Sequence, residues 1–366
     1  MMAKIKDFLK KKDIIISSKR YGIDALGAMA QGLFCTLLVG TILNTLGQQL
    51  GIAFLKQTIV GTYTIGGLAS AMVGPGIAIA IGFALNAPPL VLFSLIPVGF
   101  AANAMGGAGG PLSVYFVAIV ATELGKLVSK ETKVDILVTP IVTILAGIGF
   151  AALVASPIGI AANAVGQAIM WATELQPLLM GVAVSVLVGI ALTLPISSAA
   201  ICASFGLVGL AGGAAVAGCC AQMIGFAVMS FRENRWGGLV AQGLGTSMLQ
   251  MPNIVKNPRI WIPPILASAI TGPLATCVFK LKMNGAAVNS GMGTCGLCGQ
   301  IGVWTGWINP SEAALKAGEV AITPGAMDWV GLALICFVLP AVLSLVFCEI
   351  LRKIGWIKEN DLKLAL

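Results

Sequence analysis

Residues 57–122 read QTIVGTYTIGGLASAMVGPGIAIAIGFALNAPPLVLFSLIPVGFAANAMGGAGGPLSVYFVAIVAT, a run from Lys56 to Glu123 without one Asp, Glu, Lys or Arg. A transmembrane helix needs roughly 20 apolar residues, so this run holds about three spans. Two more uncharged runs follow, between Asp135 and Glu174 and between Glu174 and Arg232. Lipid offers the backbone no hydrogen-bond partner, so only helices or a closed barrel can cross it. Alternating ten-residue strands are absent and the apolar runs are long, so the reading is an all-α integral membrane protein.

Composition agrees. Of 366 residues, 58% are hydrophobic and 10% charged, against about 25% charged in a soluble domain. Such a chain could not clothe a globule in polar surface. The net charge of +8 reports topology rather than nucleic acid, because the basic residues cluster. They lie in the first twenty positions, at Lys126, Lys130 and Lys133, at Arg232 and Arg235, and at Arg352, Lys353, Lys358 and Lys363. The positive-inside rule assigns these segments, and both termini, to the cytoplasm. The segments 156–176 and 308–328 then lie outside, the second being net acidic through Glu312, Glu319 and Asp328. Lys280 and Lys282 fall on the outside in this count, against the rule. Tyr21, Trp171, Trp236 and Trp329 suit interfacial anchors.

About ten spans are expected: 22–50, 62–84, 88–104, 110–128, 134–155, 177–195, 198–211, 212–231, 259–279 and 328–351. Residues 158–174 read as an amphipathic stretch on the outer surface. Residues 1–20 form a cytoplasmic N-terminal segment, 21–356 the transmembrane domain and 357–366 a cytoplasmic tail. Within the first segment, 4–16 reads as an interfacial helix with lysines toward headgroups and Ile5, Phe8, Leu9 and Ile16 in the acyl boundary; a solvated basic tail is the alternative.

Three Gly-rich stretches interrupt the apolar pattern: 103–111, 237–257 and 284–302. Non-helical backbone survives at membrane depth only when enclosed by protein or lining a wet cavity. The first reads as a broken tip, the last as a re-entrant hairpin. They carry neutral hydrogen-bonding groups, Asn103, Gln242, Gln250, Asn253, Asn284, Asn289, Thr294 and Gln300. Such a set suits an uncharged, hydroxyl-rich solute; helix-to-helix hydrogen bonding is the competing role. The candidate solute-binding set is Asn103, Gly106, Gly107, Gly109, Asn284, Asn289, Gly293, Thr294 and Gln300. Asp24 and Glu123 are ionisable residues within or beside spans and therefore candidate coupling or gating groups, although Glu123 and Lys126 stand three apart on one helix face and pair as readily.

Other motifs carry less. Gly291-Met-Gly293-Thr-Cys-Gly296 matches a dinucleotide fingerprint, but that needs a strand before it and a helix after it. Its glycines instead permit a tight turn and close helix approach. Gly209 and Gly213, four apart, suit close helix packing. Cys295-Gly-Leu-Cys298 is a lone pair in a chain without histidine, so zinc is not expected, nor any other cofactor.

Four stretches together resemble one family. They are Asp135-Ile-Leu-Val-Thr-Pro-Ile-Val-Thr-Ile-Leu-Ala-Gly147, Asn257-Pro-Arg-Ile-Trp-Ile-Pro-Pro264, Gly272-Pro273 and Asn289-Ser-Gly-Met-Gly-Thr-Cys-Gly296. The chain is similar to the EIIC membrane component of the bacterial sugar phosphotransferase system, of the glucose superfamily, and within it to the stand-alone branch that includes perfringolysin O regulator-like proteins. The resemblance implies a homodimer in the bacterial cytoplasmic membrane, re-entrant hairpins, a sugar site near 103–111 and 284–302, and separate EIIA and EIIB partner proteins. Phosphorylating members carry a glutamate in the Gly-rich hairpin and often a histidine; 284–302 has no carboxylate and the chain no histidine. The expectation is therefore a transporter of a sugar-like or other small polar solute by alternating access, not an enzyme in its own right. The alternatives are a membrane sensor of the perfringolysin O regulator type and an ion-coupled carrier or channel.

Overall fold

The computed structural model describes residues 2–364. Helix dominates, and the only strands among the described residues are Thr58–Val60 and Tyr63–Thr64, a small antiparallel hairpin. Among the described residues, six helical stretches are long and apolar enough by length and composition to cross a membrane: Arg20–Gln48, Pro89–Val128, Asp135–Thr173, Gly209–Met229, Pro258–Val278 and Ala326–Lys353; Ile65–Ala71 with Val73–Ala84, bent by 54°, makes a seventh if taken as one span. Large apolar side chains face outward, with Phe83 74%, Leu153 73% and Ile136 71% exposed. In water such a surface would drive aggregation; against lipid it is the expected exterior.

The chain divides into two compact units. One comprises the residues up to Gly40 together with Gly67–Ala161, the other Thr41–Gly66 and the residues from Ala162 on.

In the first unit the forty-residue stretch Pro89–Val128 doubles back. Pro89–Gly106 is one helix, Gly107–Gly109 a 3-10 turn and Gly110–Val128 the return. Antiparallel pairing shows in the contacts: Gly110 abuts Asn103 near the tip and Gly125 abuts Val91 at the far end. Each arm is about 27–29 Å long, close to the hydrocarbon thickness. Gly107 makes the bend with φ +52 and ψ −122, a backbone region closed to side-chain-bearing residues. The break expected at 103–111 is thus present.

The helix Asp135–Thr173 runs alongside, with Thr143 against Gly125 and Ile158 against Gly109. The expected surface stretch 158–174 is therefore no separate element up to Thr173. It continues the same helix through Pro157, about 58 Å in all, and its last residues belong to the second unit. Near the N-terminus Met2–Lys11 is helical, shorter than the 4–16 expected. The side chains of Lys4, Ile5 and Lys6 lie outside the described residues.

The second unit is arranged around Gly209–Met229, which is 89% buried over its apolar stretch, against 22% for Asp135–Thr173. Packed on it are Pro177–Thr193, Pro258–Val278 and Ala326–Lys353. The expected span 198–211 is corrected: Ser198–Ser204 is a short helix, Gly206 (φ +60) turns the chain, and the central helix begins at Gly209 (φ +66). Small residues explain the mismatch, since Gly and Ser in an apolar run permit a turn as easily as a helix. The spacing of Gly209 and Gly213 serves a different partner from the one expected. Gly209 pairs by both backbone bonds with Met283, and Gly213 abuts the Leu281 carbonyl. An extended segment, rather than a second helix, occupies that face.

Candidate functional site

The stretch 280–297 runs without α-helix against the central helix, enclosed by protein. Its backbone alternates extended residues, the 3-10 turns Ala287–Gly291 and Cys295–Leu297, and tight bends, before Cys298–Ile308 resumes as helix. This is irregular chain followed by one helix, rather than the helical re-entrant hairpin expected. Its polar backbone is satisfied locally. Ser290 Oγ donates to the Leu207 carbonyl at 2.6 Å, and Ser198 Oγ donates to the Gly291 carbonyl at 2.8 Å. The glycines of the fingerprint-like motif work by contact: a methyl on Gly291 would stand 2.6 Å from the Ser198 carbonyl oxygen, and one on Gly293 (φ +53) 2.7 Å from Cys219 Cβ. No strand precedes the motif, so the dinucleotide reading fails on context.

Five of the expected solute residues, Gly293 and four with polar side chains, lie on this segment and the helix after it. Asn284 is 1% exposed, Asn289 6%, Thr294 0% and Gln300 7%. Three retain buried polar atoms with no hydrogen-bond partner in the chain: Asn284 Oδ1, Thr294 Oγ1 and Gln300 Oε1. Each such atom costs about 1–3 kcal/mol if left unmet; seven further atoms among the described residues share this state, Thr122 Oγ1 and Ser344 Oγ among them. Gln300 uses its nitrogen on Cys220 Sγ at 3.1 Å. It also borders an apolar groove of about 240 Å³ shared with Trp304, Trp329 and Phe337.

The structure also adds a carboxylate that the sequence did not suggest. Glu319 Oε2 accepts from Lys282 Nζ at 2.8 Å and from Asn284 Nδ2 at 3.3 Å. A helix stop delivers it. Ser311 caps Glu312–Lys316, Gly318 (φ +82) reverses the chain, and Glu319 N–H returns to the Ala314 carbonyl, the hydrogen-bond pattern of a glycine-terminated helix. The signal was available in the glycine following Glu312-Ala-Ala-Leu-Lys316. The pair neutralises the Lys282 charge locally.

Gln222 was missed too. It is fully buried in the central helix; Oε1 accepts from Trp261 Nε1 at 2.8 Å and from Thr193 Oγ1 at 3.3 Å, while Nε2 has no partner in the chain. Its signal was an amide in a long uncharged run.

In the first unit, Asn103 is half-buried beside Gly110, and Gly107 is exposed at the tip. Gly106 and Gly109 are buried against Gly159 and Ile158, which gives both a packing role. Asn103, Gly106, Gly107 and Gly109 belong to one unit and Asn284, Asn289, Gly293, Thr294 and Gln300 to the other.

Gln242, Gln250 and Asn253 do not stand open to a solute. Their amides form a chain that ends on the backbone of the C-terminal segment: Gln250 Nε2 donates to Gln242 Oε1 at 2.8 Å and to the Leu362 carbonyl at 3.0 Å, and Asn253 Nδ2 to Gln250 Oε1 and the Lys363 carbonyl, both at 2.9 Å.

Of the two coupling candidates, Asp24 is exposed on its helix. Glu123 is engaged. Its Oε1 accepts from Tyr21 OH at 3.0 Å, and its Oε2 stands 3.2 Å from Lys126 Nζ, within ion-pair reach but off the hydrogen-bond direction. Tyr21 is thus a partner in a polar cluster rather than a free interfacial anchor. Lys126 is 2% exposed and donates to the carbonyls of Asp13 at 2.7 Å and Leu85 at 2.9 Å. Arg20 donates to both Asp13 oxygens, at 3.0 and 2.6 Å, and to the same Leu85 carbonyl at 2.6 Å. Lys12 reaches the Ser129 carbonyl and Glu131. The cluster pins the N-terminal segment to the hairpin's open end. Beside it, the Arg20 hydrogen bond, aided by Asn86 and the nearby positive charges, overcomes burial to pull the Asp13 carboxyl down from 3.8 to about 2.

No curated protein and no solved structure matches the chain. The family described as Phosphotransferase system, EIIC matches residues 23–364, a range that takes in every candidate solute residue. With its apolar helices and its enclosed, partly unmet polar segment, the chain belongs to the EIIC family, the membrane transport component of the phosphotransferase system.

Proposed function

We propose that the chain carries a sugar-like or other small polar solute across the bacterial cytoplasmic membrane by alternating access, as a homodimer with both termini cytoplasmic. Any phosphoryl transfer is done by separate EIIA and EIIB partners, for the chain itself has no histidine to carry a phosphoryl group. One observation carries this reading. The polar atoms of Asn284 and Thr294, in the non-helical stretch, and of Gln300, on the first turn of the helix after it, are buried without partners among the described residues. Two of them, the amide oxygens, can only accept, and a polyol's hydroxyls would supply the missing donors. Trp304 and Trp329, with ring centres 6.3 Å apart, border Gln300 through the groove and offer apolar faces.

The test is uptake of labelled hexoses and polyols into proteoliposomes containing the purified chain, with and without a phosphoenolpyruvate-driven phosphotransfer system. One or more solutes should accumulate. Thr294→Val and Asn289→Ala should each reduce uptake about tenfold or more, as loss of one hydrogen bond in a buried site does. Asn103→Ala tests the hairpin tip separately. Binding without flux under every gradient would replace the transporter by a membrane sensor.

The ion-coupled reading finds less support. Glu123 is held by Tyr21 and Lys126, an arrangement suited to fastening rather than to carrying a proton back and forth.

A further inference from the structure

The fastening at the hairpin's open end leaves an apolar loop outside. Lys12 reaches the Ser129 carbonyl and Glu131, and Lys126 donates to the Asp13 carbonyl at 2.7 Å. Further along, Arg20 donates to Asp13 and to the Leu85 carbonyl. Between these anchors residues 14–17 have no regular secondary structure. Ile15 is 49% and Ile16 81% exposed, whereas Phe8 and Leu9 in the preceding helix are half-buried. The loop is thus tied at both ends with apolar side chains turned out. Across the Lys12–Glu131 bridge, Val134 is 56% and Ile136 71% exposed where the apolar span Asp135–Thr173 begins. The two segments meet at the end of a span, where hydrocarbon gives way to headgroups.

The charges around this apolar rim are mostly of one sign. Lys10, Lys11, Lys19, Lys130 and Lys133 are exposed and enter no salt bridge among the described residues. Of the carboxylates in residues 7–20 and 129–135, Asp13 is neutralised by Arg20 and Glu131 by Lys12. Asp7 and Asp135 keep their charge, Asp135 being held by the Thr139 hydroxyl and the Lys130 N–H. Five lysines therefore face two carboxylates. Lysines near an anionic leaflet are drawn to it, and flanking apolar side chains enter the acyl boundary. A free anion would have no use for Ile16, Val134 and Ile136, so the charge and the apolar rim together select a lipid. Unpaired backbone at residues 14–17 limits the depth, because hydrocarbon would leave it unsatisfied.

We propose that the N-terminal loop and the turn at 130–134 form one binding site for an anionic phospholipid. Lys11, Lys130 and Lys133 take the negative headgroup, and Ile16 enters the acyl boundary beside it. The site is independent of which solute the chain carries.

The experiment compares the full-length chain in nanodiscs of phosphatidylcholine with nanodiscs holding one third phosphatidylglycerol. Hydrogen exchange in residues 7–20 should be about fivefold slower with the anionic lipid, the factor for one lysine at an anionic surface. Lys130→Gln with Lys133→Gln should remove most of that gain. Both lysines are exposed and lie outside the exchanging segment, so their effect reports a shared headgroup rather than a helix that binds lipid alone. Salt at about 0.5 M should remove the gain as well. Depth is read separately, from a nitroxide on Ile16→Cys in a chain with Cys35→Ser and Cys277→Ser, the two exposed cysteines. It should be more open to oxygen than to an aqueous nickel chelate. Equal exchange in the two lipids, or a gain untouched by the lysine pair, would overturn the proposal. So would a nitroxide open to the nickel chelate, or one closed to both quenchers, which would mean that protein, such as a second copy, covers the loop.

Discussion

Lys282 Nζ lies 2.8 Å from Glu319 Oε2, joining the Gly-rich stretch to a loop thirty-seven residues further along the chain. The lysine side chain is 39% exposed and the glutamate 16%, so the pair contributes about 1 kcal/mol rather than the larger sum of a buried pair. Its larger effect is positional, because the same carboxylate oxygen holds Asn284 Nδ2. Glu319→Ala should lower thermal stability by roughly that amount and free the loop, seen as faster tryptic cleavage at Lys316. Gly318→Ala should do the same by straining the φ +82 turn. The two together should be clearly less than additive. Full additivity would mean that the turn does not position the carboxylate.

Gly107 and Gly293 separate two costs of a side chain. At Gly107 a Cβ meets nothing within 4 Å, so Gly107→Ala probes backbone strain alone, about 1–3 kcal/mol. At Gly293 the same strain is joined by a clash with Cys219. Gly293→Ala should therefore destabilise by at least about 1 kcal/mol more, as overpacking does. Thermal unfolding in detergent measures both. The reverse order would show that the hairpin tip is packed in a way its surroundings do not suggest.

Lys126 Nζ donates to the Asp13 and Leu85 carbonyls and stands 3.2 Å from Glu123 Oε2 as an ion pair. Lys126→Met fills the volume but strands Glu123 half-buried without its cation. A loss of roughly 3 kcal/mol follows, and the N-terminal segment should detach. Trypsin should then cut at Lys10, Lys11 and Lys12 much faster than in the unsubstituted chain. Unchanged protection would assign the fastening to Arg20 alone.

Acid should loosen the same fastening. Asp13 titrates near 3.8 when free and about 2 in the fold, chiefly because Arg20 donates to its ionised form. A depressed carboxyl contributes stability that is complete above its unfolded value and is lost as pH falls through its folded value. Hydrogen-exchange protection in residues 7–20, taken relative to the intrinsic rate at each pH, should therefore be flat above about pH 4 and fall from about pH 4 to pH 2. Glu131 is held low in the same direction by Lys12 and adds to the slope. Asn86→Ala removes one donor to Asp13, so the folded value rises and the change should be smaller and finish at a higher pH. An onset above pH 5 would point to a different group.

The membrane class was legible from charge spacing alone. Burying an isolated charge in lipid is so costly that long uncharged runs mark spans whatever the fold around them, and all six long apolar helices fall on expected ones. The break at Gly107 was legible for a related reason, since consecutive glycines before a proline cannot sustain a helix. Asn284, Thr294 and Gln300 stood out as neutral polar groups in a Gly-rich break.

What only tertiary structure decided was which polar group meets which. Nothing in residues 284–302 announces a carboxylate, yet Glu319 arrives there through a turn at Gly318. Nothing local separates Gln250 and Asn253, spent on the C-terminal backbone, from Thr294, which keeps an unmet atom. All are amides or hydroxyls in glycine-rich stretches, with the same short-range signature. An apolar run is a property of consecutive residues, so it can be read from the chain. A hydrogen-bond partner is a property of two distant segments at about 3 Å, and that distance exists only once the helices have packed.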